Sequence, residues 1–373
     1  MTEQWSNSNR LNSFNSMKGL TYFEHYKKIL MWMDGKGELP PPFECNLDPY
    51  AECNLACQFC LVQRYLINHR EEVGEQRVLT TEYMYRLIEF LSAWGVKGFC
   101  LSGGGEPTLH KGLPQVIDYA VANGLETSLF TNGTIMNEYL ADSMLKCRFV
   151  SLSINATDRE TYKEIMCRDL FDHMRKNLAY LAKRQRDEKA KVFTCVRMLI
   201  LSENYKQIYD MCKWAKEIGL SAFNVRPVDL ERSDIQGHHK LELPIDFIQE
   251  QFAKCHELED DTFKVFTVTE KYDSNFHVKM DFNYCLATPL LIPILQNCDA
   301  FACVDRKMEY KFRLGSCNPP ENILKWWGSD EHRNFIKSIK PERDCCNLRC
   351  TFSQYNKQIF EVVLRDSMMR NFP

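Results

Sequence analysis

Short apolar runs alternate with longer amphipathic segments through the first two thirds of the chain. In segments such as 81–95 and 205–219 the apolar residues recur at helical spacing. The apolar runs between such segments predict six strands, at 43–48, 98–103, 126–131, 149–154, 191–200 and 222–228. Strands joined by helices of this length pair in parallel with right-handed crossovers. The pattern therefore predicts an α/β fold.

Two architectures fit six such units. A partial (β/α)6 TIM-like barrel places its active site at the carboxyl ends of the strands, whereas an open doubly wound sheet usually binds a dinucleotide. Periodicity alone leaves this choice nearly even. We expect the partial barrel, because no dinucleotide fingerprint is present.

The two ends of the chain differ from this middle part. A polar, Asn/Ser-rich head is followed by one aromatic-rich helix that glycine and a proline triplet end. Seven of the seventeen cysteines lie in the last quarter. We therefore expect four parts: an N-terminal helical extension (1–42), the barrel (43–231), a charged, irregular connector or lid (232–282) and a small cysteine-rich C-terminal domain (283–373).

Composition and charge limit the partners. With 47 basic and 50 acidic residues the net charge is -3, so no global positive field attracts nucleic acid or an anionic membrane. The N-terminus lacks the apolar region of a secretory signal, and the longest apolar stretch, 285–298, is too short to span a bilayer. We expect a soluble, cytoplasmic protein without a membrane partner, in which cysteines serve as metal ligands and buried thiols rather than disulfides.

Three cysteines, Cys53, Cys57 and Cys60, lie within eight positions just after the first predicted strand. Disulfides use cysteines in pairs, and a structural zinc site usually takes four ligands. A [4Fe-4S] cluster has four irons, so three thiolates leave one iron free to bind another ligand. The triplet therefore predicts a metal centre with an open position, and zinc or fortuitous core thiols are the alternatives.

The Cys-x-x-x-Cys-x-x-Cys spacing, with Phe59 before the last cysteine, resembles the signature of the radical S-adenosylmethionine (radical SAM) superfamily. Three further motifs are similar to it in chain order. LSGGGEP (101–107) resembles the glycine-rich motif that binds the methionine amino group of SAM, FTNGT (130–134) the third-strand motif, and SLSINATD (151–158) the ribose-contact strand. The resemblance covers roughly residues 43–230.

This resemblance implies that Cys53, Cys57 and Cys60 hold a [4Fe-4S] cluster whose open iron binds SAM. The SAM-binding residues it implies are Phe59, Gly103, Gly104, Gly105, Glu106, Pro107, Thr131, Asn132, Ser153, Asn155 and Arg197. Phe59 is expected near the adenine, although it also fits a plain core aromatic. Arg197 is expected opposite the methionine carboxylate, since a guanidinium matches a carboxylate in a bidentate fork. Structural roles fit Ser153, Asn155 and Arg197 about equally well.

The resemblance also implies the chemistry. One electron from the reduced cluster cleaves SAM into methionine and a 5'-deoxyadenosyl radical, and the radical removes a hydrogen atom from a substrate. Flavodoxin or ferredoxin is the expected electron donor.

The C-terminal cysteines resemble the Twitch and SPASM extensions that bind auxiliary clusters beside a radical SAM barrel. We predict one auxiliary [4Fe-4S] cluster, and its expected ligands are Cys285, Cys303, Cys346 and Cys350. Cys345 is the substitute for Cys346. A structural zinc site on the same four is the main alternative. Cys298 and Cys317 are unassigned: either could ligate or donate a hydrogen atom, or both could be ordinary buried thiols.

Three functions compete. The first is oxidation or epimerisation of a small polar metabolite (a sugar, aminocyclitol or nucleotide). The second is a peptide or protein maturase that forms a thioether, a carbon–carbon link or formylglycine, for which the short N-terminal head offers little room for peptide recognition. The third is a non-catalytic iron–sulfur or zinc protein, which has no use for a ligand-cradling glycine loop. Arg226, Asp229, His238 and His239 are the candidates for substrate contact.

Overall fold

The strands of the protein form one open sheet in a computed structural model that describes residues 22–62, 70–228, 243–269, 271–276, 280–345 and 349–361. In chain order they are β1 Glu44–Leu47, β2 Gly98–Leu101, β3 Glu126–Thr131, β4 Phe149–Ser153, β5 Phe193–Ile200, β6 Ala222–Pro227, β7 Lys264–Thr267, β8 Leu291–Ile294, β9 Asp299–Phe301 and β10 Arg313–Ser316. Their order across the sheet is β10-β9-β8-β1-β2-β3-β4-β5-β6-β7. Strands β1 to β7 pair in parallel, β8 is parallel to β1, and β9 pairs antiparallel with β8 and β10.

Helices connect and cover these strands. The described helices are Phe23–Met33, Arg70–Val73, Thr81–Trp94, Leu113–Ala122, Glu138–Leu145, Arg159–Met166, Phe171–Asp187, Ile208–Glu217, Ile245–His256, Ile323–Trp326, Asp330–Ser338, Pro341–Asp344 and Ser353–Ile359. Local sequence sets their ends. Thr80 Oγ1 accepts a hydrogen bond from Tyr83 N at 3.1 Å where one helix begins, and Gly95, at φ 107°, ends it in the left-handed conformation.

All six predicted strands form and pair in parallel, so the predicted α/β class and β/α order are confirmed. The register aligns Ser153 of β4 with Arg197 of β5. Parallel strands bring their carboxyl ends to one edge of a sheet, and the cysteine triplet, the glycine loop and the FTNGT motif each follow a strand there.

Two regions differ from the sequence prediction. The charged stretch predicted as irregular contains the helix Ile245–His256 and the seventh parallel strand, β7, because apolar residues such as Ile248 and Phe252 give the helix a buried face. The apolar run 285–298 contains β8, which extends the same sheet beyond β1 and is buried along its length. A strand covered on both faces reads as a continuous apolar run rather than an alternating one. The four-part division of the chain stays a prediction.

The N-terminal helix packs against the C-terminal part of the chain. Trp32 Nε1 donates to Gly328 O at 2.8 Å, and Trp327 Nε1 donates to Pro40 O at 2.9 Å. Burial of Trp32 makes this contact part of the core. Within the described ranges, no helix has both the length and the apolar character needed to cross a bilayer.

Candidate cofactor site and cysteine-lined cavity

The thiol triplet lies on the loop after β1, and all three side chains are half-buried. Cys53 Sγ lies 3.9 Å from Asn132 Nδ2, and Cys57 Sγ lies 3.5 Å from Met166 Sδ. The amide of Cys60 donates to Cys57 O at 3.1 Å, which curls the loop. One short loop therefore presents three sulfurs at the carboxyl edge of the sheet.

Burial raises the pKa of Cys53 to about 11 and raises that of Cys57 further, and repulsion from the thiol of Cys60 adds to both shifts. The form of cysteine that binds metal is the thiolate. The protein alone thus disfavours the thiolate forms of Cys53 and Cys57, and a cationic metal centre would supply the charge that stabilises them. Three neighbouring thiols on one loop are a donor set that fits a [4Fe-4S] cluster with one open iron.

The glycine loop after β2 packs directly on the chain that leads to the triplet. Glu106 N donates to Glu52 O at 2.8 Å. A Cβ added at Gly105 would lie 2.1 Å from that same Glu52 oxygen, and one added at Gly103 would lie 1.8 Å from Gly105 O. Glycine is required at both positions because backbone fills the space of a side chain. The loop is thereby fixed beside the cysteines.

The carboxylate of Glu106 is buried and joins this loop to β3. It accepts hydrogen bonds from Thr108 Oγ1 at 2.6 Å, Thr131 Oγ1 at 2.6 Å and Asn132 N at 2.8 Å. Burial raises the pKa of Glu106, and these hydrogen bonds oppose the rise. Both carboxylate oxygens are taken by protein donors, and Pro107 starts a buried 3-10 turn. The contacts shown are structural, and SAM contact by Glu106 and Pro107 stays a prediction.

The FTNGT motif fastens the cysteine loop. Asn132 Nδ2 donates to Asn54 Oδ1 at 2.9 Å, and Asn54 Nδ2 donates to Thr134 Oγ1 at 2.8 Å. Asn132 Oδ1 in turn accepts from Thr134 Oγ1 at 2.6 Å. Sequence reasoning did not identify Asn54, although its place between Cys53 and Cys57 was a signal.

We expect Glu106→Gln to destabilise the fold by about 1–3 kcal/mol, because an amide NH2 group would face donors that now meet carboxylate oxygens. Equilibrium urea unfolding under anaerobic conditions measures the change. Glu126→Gln, at the exposed start of β3, is the matched control and should leave the midpoint unchanged. Equal midpoints for both variants would show that the buried carboxylate does not hold the loop.

Arg197 lies on β5 with its guanidinium carbon 4.7 Å from the centre of the Phe130 ring. Burial lowers its pKa to about 10, and repulsion from Arg226 and Arg349 contributes. Its Nε is buried and has no hydrogen-bond partner in the described part of the chain. A buried cation is costly unless an anion pairs with it. Arg197 is therefore suited to a carboxylate ligand.

The remaining predicted SAM contacts divide into two kinds. Asn155 is committed to the fold, because its Oδ1 accepts from Leu199 N at 2.8 Å and its Nδ2 lies 3.9 Å from Met166 Sδ. Phe59 is half-buried and packs against the main hydrophobic core, and Ser153 is half-buried at the carboxyl end of β4. Their roles in binding stay predictions.

Four C-terminal cysteines line one cavity: Cys285, Cys303, Cys345 and Cys350. The rest of the lining is mainly apolar and includes Leu291, Phe312, Ile339 and Phe352. The cavity has an empty volume of about 480 Å³, part of it open to solvent. Burial raises the pKa of Cys345 to about 12 and those of Cys303 and Cys350 well above the ordinary range, and neighbouring negative groups add to the rise.

Asp305 braces two of these cysteine segments against each other. Its carboxylate accepts from Arg349 Nη1 at 3.0 Å and from Thr351 N at 2.6 Å. The turn after Cys303 is thereby tied to the chain on both sides of Cys350. Three of the four predicted ligands meet at the cavity together with the substitute, Cys345, whereas Cys346 lies outside the described residues.

Within the described ranges, no three His, Cys, Asp or Glu side chains are grouped closely enough to hold a single metal ion. A [4Fe-4S] cluster distributes its four cysteine ligands over four irons, so its ligands surround a space rather than a point. The apolar cavity between the four thiols is a space of this kind, and the fit to an auxiliary cluster depends on it.

Cys298 and Cys317 are buried and do not line this cavity. Cys317 N donates to Cys298 O at 2.7 Å, and Tyr83 Oη donates to Cys317 O at 2.7 Å. Tyr83 lies in the helix Thr81–Trp94. These contacts support the interpretation of both as ordinary buried thiols, and hydrogen-atom donation by either stays a prediction.

Of the substrate-contact candidates, Arg226 is the penultimate residue of β6, and its Nη1 donates to Pro227 O at 2.9 Å and to Tyr272 Oη at 3.1 Å. Asp229, His238 and His239 lie outside the described residues.

Comparison with known proteins places this site in a family. Residues 47–215 match the Radical SAM superfamily. The chain is 28% identical over 210 residues to the Probable GTP 3',8-cyclase of Pyrococcus horikoshii, covering 54% of this chain and 62% of that protein. It is 24% identical over 199 residues to the antilisterial bacteriocin subtilosin biosynthesis protein AlbA of Bacillus subtilis, covering 52% of this chain and 41% of that protein.

Among solved structures, Streptococcus suis SuiB bound to S-adenosylmethionine is similar with a TM-score of 0.63 and 17% identity, over 88% of this chain and 75% of that one. At this identity the likeness shows the fold alone. The matches to the two curated relatives cover less than two thirds of their lengths. The matched residues 47–215 nevertheless include the thiol triplet, the glycine loop and the motifs of β3 to β5. Residues 47–215 therefore carry a Radical SAM domain, and proteins of that superfamily bind a [4Fe-4S] cluster and SAM.

Proposed function

We propose that this protein removes a hydrogen atom from a small polar metabolite (a sugar, aminocyclitol or nucleotide) for oxidation or epimerisation, assisted by an auxiliary [4Fe-4S] cluster. The observation that carries the proposal is that the thiol triplet and the glycine loop each follow a strand at the carboxyl edge of the sheet, while Arg197 of β5 is aligned with Ser153, the last residue of β4. When bound there, the cluster and SAM supply the electron and the 5'-deoxyadenosyl radical that such a reaction needs.

The chain's own residues bind and orient these groups. Cys53, Cys57 and Cys60 would hold three irons of the cluster, and the close-packed glycine loop offers backbone groups to the methionine end of SAM. Arg197 would pair with the methionine carboxylate, which gives its buried guanidinium the anion it lacks in the described residues. The guanidinium also lies over the ring of Phe130, with its carbon 4.7 Å from the ring centre, a cation–π contact that helps to position it.

The inner face of the sheet supports a small polar substrate. Along β2, β4 and β6 the alternate residues Phe99, Val150, Leu152, Phe223 and Val225 belong to the main hydrophobic core. The opposite face of β1, β2, β3, β4 and β6 includes small and polar side chains: Asn46, Cys100, Ser128, Ser151 and Asn224. These side chains leave room and offer hydrogen bonds, which suits a ligand with many hydroxyl or amino groups.

A peptide or protein maturase is the second candidate, and the likeness to AlbA, whose name states bacteriocin biosynthesis, favours it. We further propose a cytoplasmic location and flavodoxin or ferredoxin as the electron donor, because reduced iron–sulfur chemistry and free thiols belong to a reducing compartment.

Anaerobically reconstituted protein, supplied with SAM and dithionite, tests the proposal. We expect 5'-deoxyadenosine formation, and we expect pools of nucleotides, sugars or aminocyclitols to increase its rate. A deuterated pool member should transfer deuterium to deoxyadenosine, which mass spectrometry detects. Stimulation by peptides alone would replace the small-metabolite proposal with the maturase, and absence of SAM cleavage would overturn both.

A further inference from the structure

A buried asparagine contacts the sulfur of Cys285 at the C-terminal cavity. Asn356 belongs to the helix Ser353–Ile359 and is 1% exposed. Its Nδ2 donates to Cys285 Sγ at 3.5 Å. The helix begins three residues after Cys350, another cysteine that lines the cavity. The fold thus brings a side-chain amide from one cysteine-bearing segment onto the sulfur of another.

A second hydrogen bond sets the orientation of this amide. Asn356 Oδ1 accepts from Leu286 N at 2.9 Å. A backbone N–H only donates, so the amide oxygen of Asn356 must face Leu286 and the NH2 group must face the sulfur. The reverse orientation would leave the buried N–H of Leu286 opposite another donor, which is costly. The contact with Cys285 is therefore an N–H···S hydrogen bond.

Asn356 meets the sulfur from outside the cavity. Cys285 lines the cavity, whereas Asn356 is not one of the residues that line it. The space between the cysteines therefore stays free for the proposed auxiliary cluster, while the amide contacts one of the cluster's ligands. Burial of Asn356 keeps water away from this contact, so water does not weaken its electrostatic effect.

A threonine in the cavity wall is also suited to a group rich in sulfur. Thr288 lines the cavity three residues after Cys285 and is 6% exposed. Its Oγ1 is buried and has no hydrogen-bond partner in the described part of the chain. A buried hydroxyl is costly unless it is hydrogen-bonded, and a cluster sulfur in the cavity would supply the acceptor. This observation is independent of the contact that Asn356 makes.

A hydrogen bond to a cluster sulfur changes the free energy of reduction. A [4Fe-4S] cluster gains one negative charge when it accepts an electron, and its sulfurs share that charge. A donor that faces one of these sulfurs stabilises the more negative, reduced form. Hydrogen bonds to the sulfurs are accordingly among the features that set the reduction potential of a cluster.

We propose that Asn356 raises the reduction potential of the auxiliary cluster by donating its hydrogen bond to Cys285 Sγ. Asn356 acts through Cys285 and is therefore a positioning residue. The inference rests on the auxiliary cluster of the proposed function. When an alcohol is oxidised there, the O–H bond of the substrate radical breaks and its C–O bond becomes double, while one electron passes to the cluster and one proton to water. A higher potential makes the cluster a better acceptor for that electron.

A redox titration of the full chain tests this inference without turnover. The titration uses the Cys57→Ala background, in which the C-terminal cluster is expected to account for all of about four irons. Dithionite lowers the potential in the presence of redox mediators, and electron paramagnetic resonance (EPR) follows the reduced cluster. Asn356→Leu, which keeps a similar size but loses the donor, should lower the equilibrium constant for reduction about 10-fold. This factor is equivalent to about 59 mV for one electron.

The matched control is Asn322→Leu. The half-buried amide of Asn322 donates to Asn318 O at 2.7 Å, and Asn322 does not line the cavity. This variant should keep the equilibrium constant within about twofold. A second measurement leaves position 356 unchanged. Protein made with asparagine that carries ¹⁵N in its side-chain amide should show a ¹⁵N coupling in the pulsed EPR spectrum of the reduced cluster.

The outcomes separate this contact from the cluster itself. Four irons with an unchanged potential in Asn356→Leu, or an equal change in Asn322→Leu, would overturn the role of Asn356 and leave the proposed function intact. If Asn356→Leu does not assemble the cluster, the labelled protein decides: a ¹⁵N coupling supports the inference, and its absence overturns it. Zinc, or no iron, in the Cys57→Ala background would overturn the auxiliary cluster and the inference with it.

Discussion

Replacement of Cys57 by alanine is expected to reduce 5'-deoxyadenosine formation below detection while the protein remains folded. The triplet lies on one loop, and each sulfur serves one iron of the proposed cluster, so two remaining thiolates cannot retain it. The iron content of the reconstituted chain should fall from about eight to about four, since the C-terminal cavity is unaffected. Iron analysis and chromatography of SAM cleavage products measure both quantities.

The matched control is Cys167→Ala. Cys167 follows the helix Arg159–Met166, whose last residue contacts Cys57, yet its thiol is exposed. This variant should keep about eight irons and full SAM cleavage. Normal cleavage by the Cys57→Ala variant would show that another group holds the reactive cluster.

The sequence predicted those parts of the fold that local pattern determines. Each of the six predicted strands is an apolar run bounded by polar or turn residues, and all six form. Strand β7 was missed because its four residues, KVFT, follow a charged stretch that resembles a connector. Strand β8 was visible as an apolar run, but its pairing with β1, some 250 residues earlier, is set by tertiary contacts that no local pattern reports.

The same distinction holds for the site. The triplet spacing and the glycine loop were visible in the sequence because one short segment carries each. The structural role of Glu106 was not visible in the sequence, because its partners Thr131 and Asn132 lie at the end of the next strand and just after it. The hydrogen bond from Asn356 to Cys285 joins residues 71 positions apart, and only the fold brings them together.

The second large effect is expected at the C-terminal cavity, where Cys303→Ala should lower the iron content from about eight to about four. SAM cleavage should continue at the triplet, whereas conversion of the substrate should stop. The physical reason is that Cys285, Cys303, Cys345 and Cys350 surround one space whose other lining is mainly apolar. Unlike the triplet, whose open iron is a proposed SAM site, the described part of this lining offers no replacement ligand for the iron that loses its thiolate. Cys298→Ala, a buried thiol outside the cavity, is the matched control and should retain all the iron.

Two further variants decide which neighbouring cysteine is the fourth ligand. The sequence favoured Cys346, but the cavity is lined by Cys345, so we expect Cys345→Ala to lose about four irons and Cys346→Ala to keep them. The opposite result would restore the sequence prediction. One bound zinc in place of four irons would make the cavity a structural metal site. In that case the auxiliary cluster could not take part in the reaction, and a redox-neutral conversion would replace oxidation as the proposed chemistry.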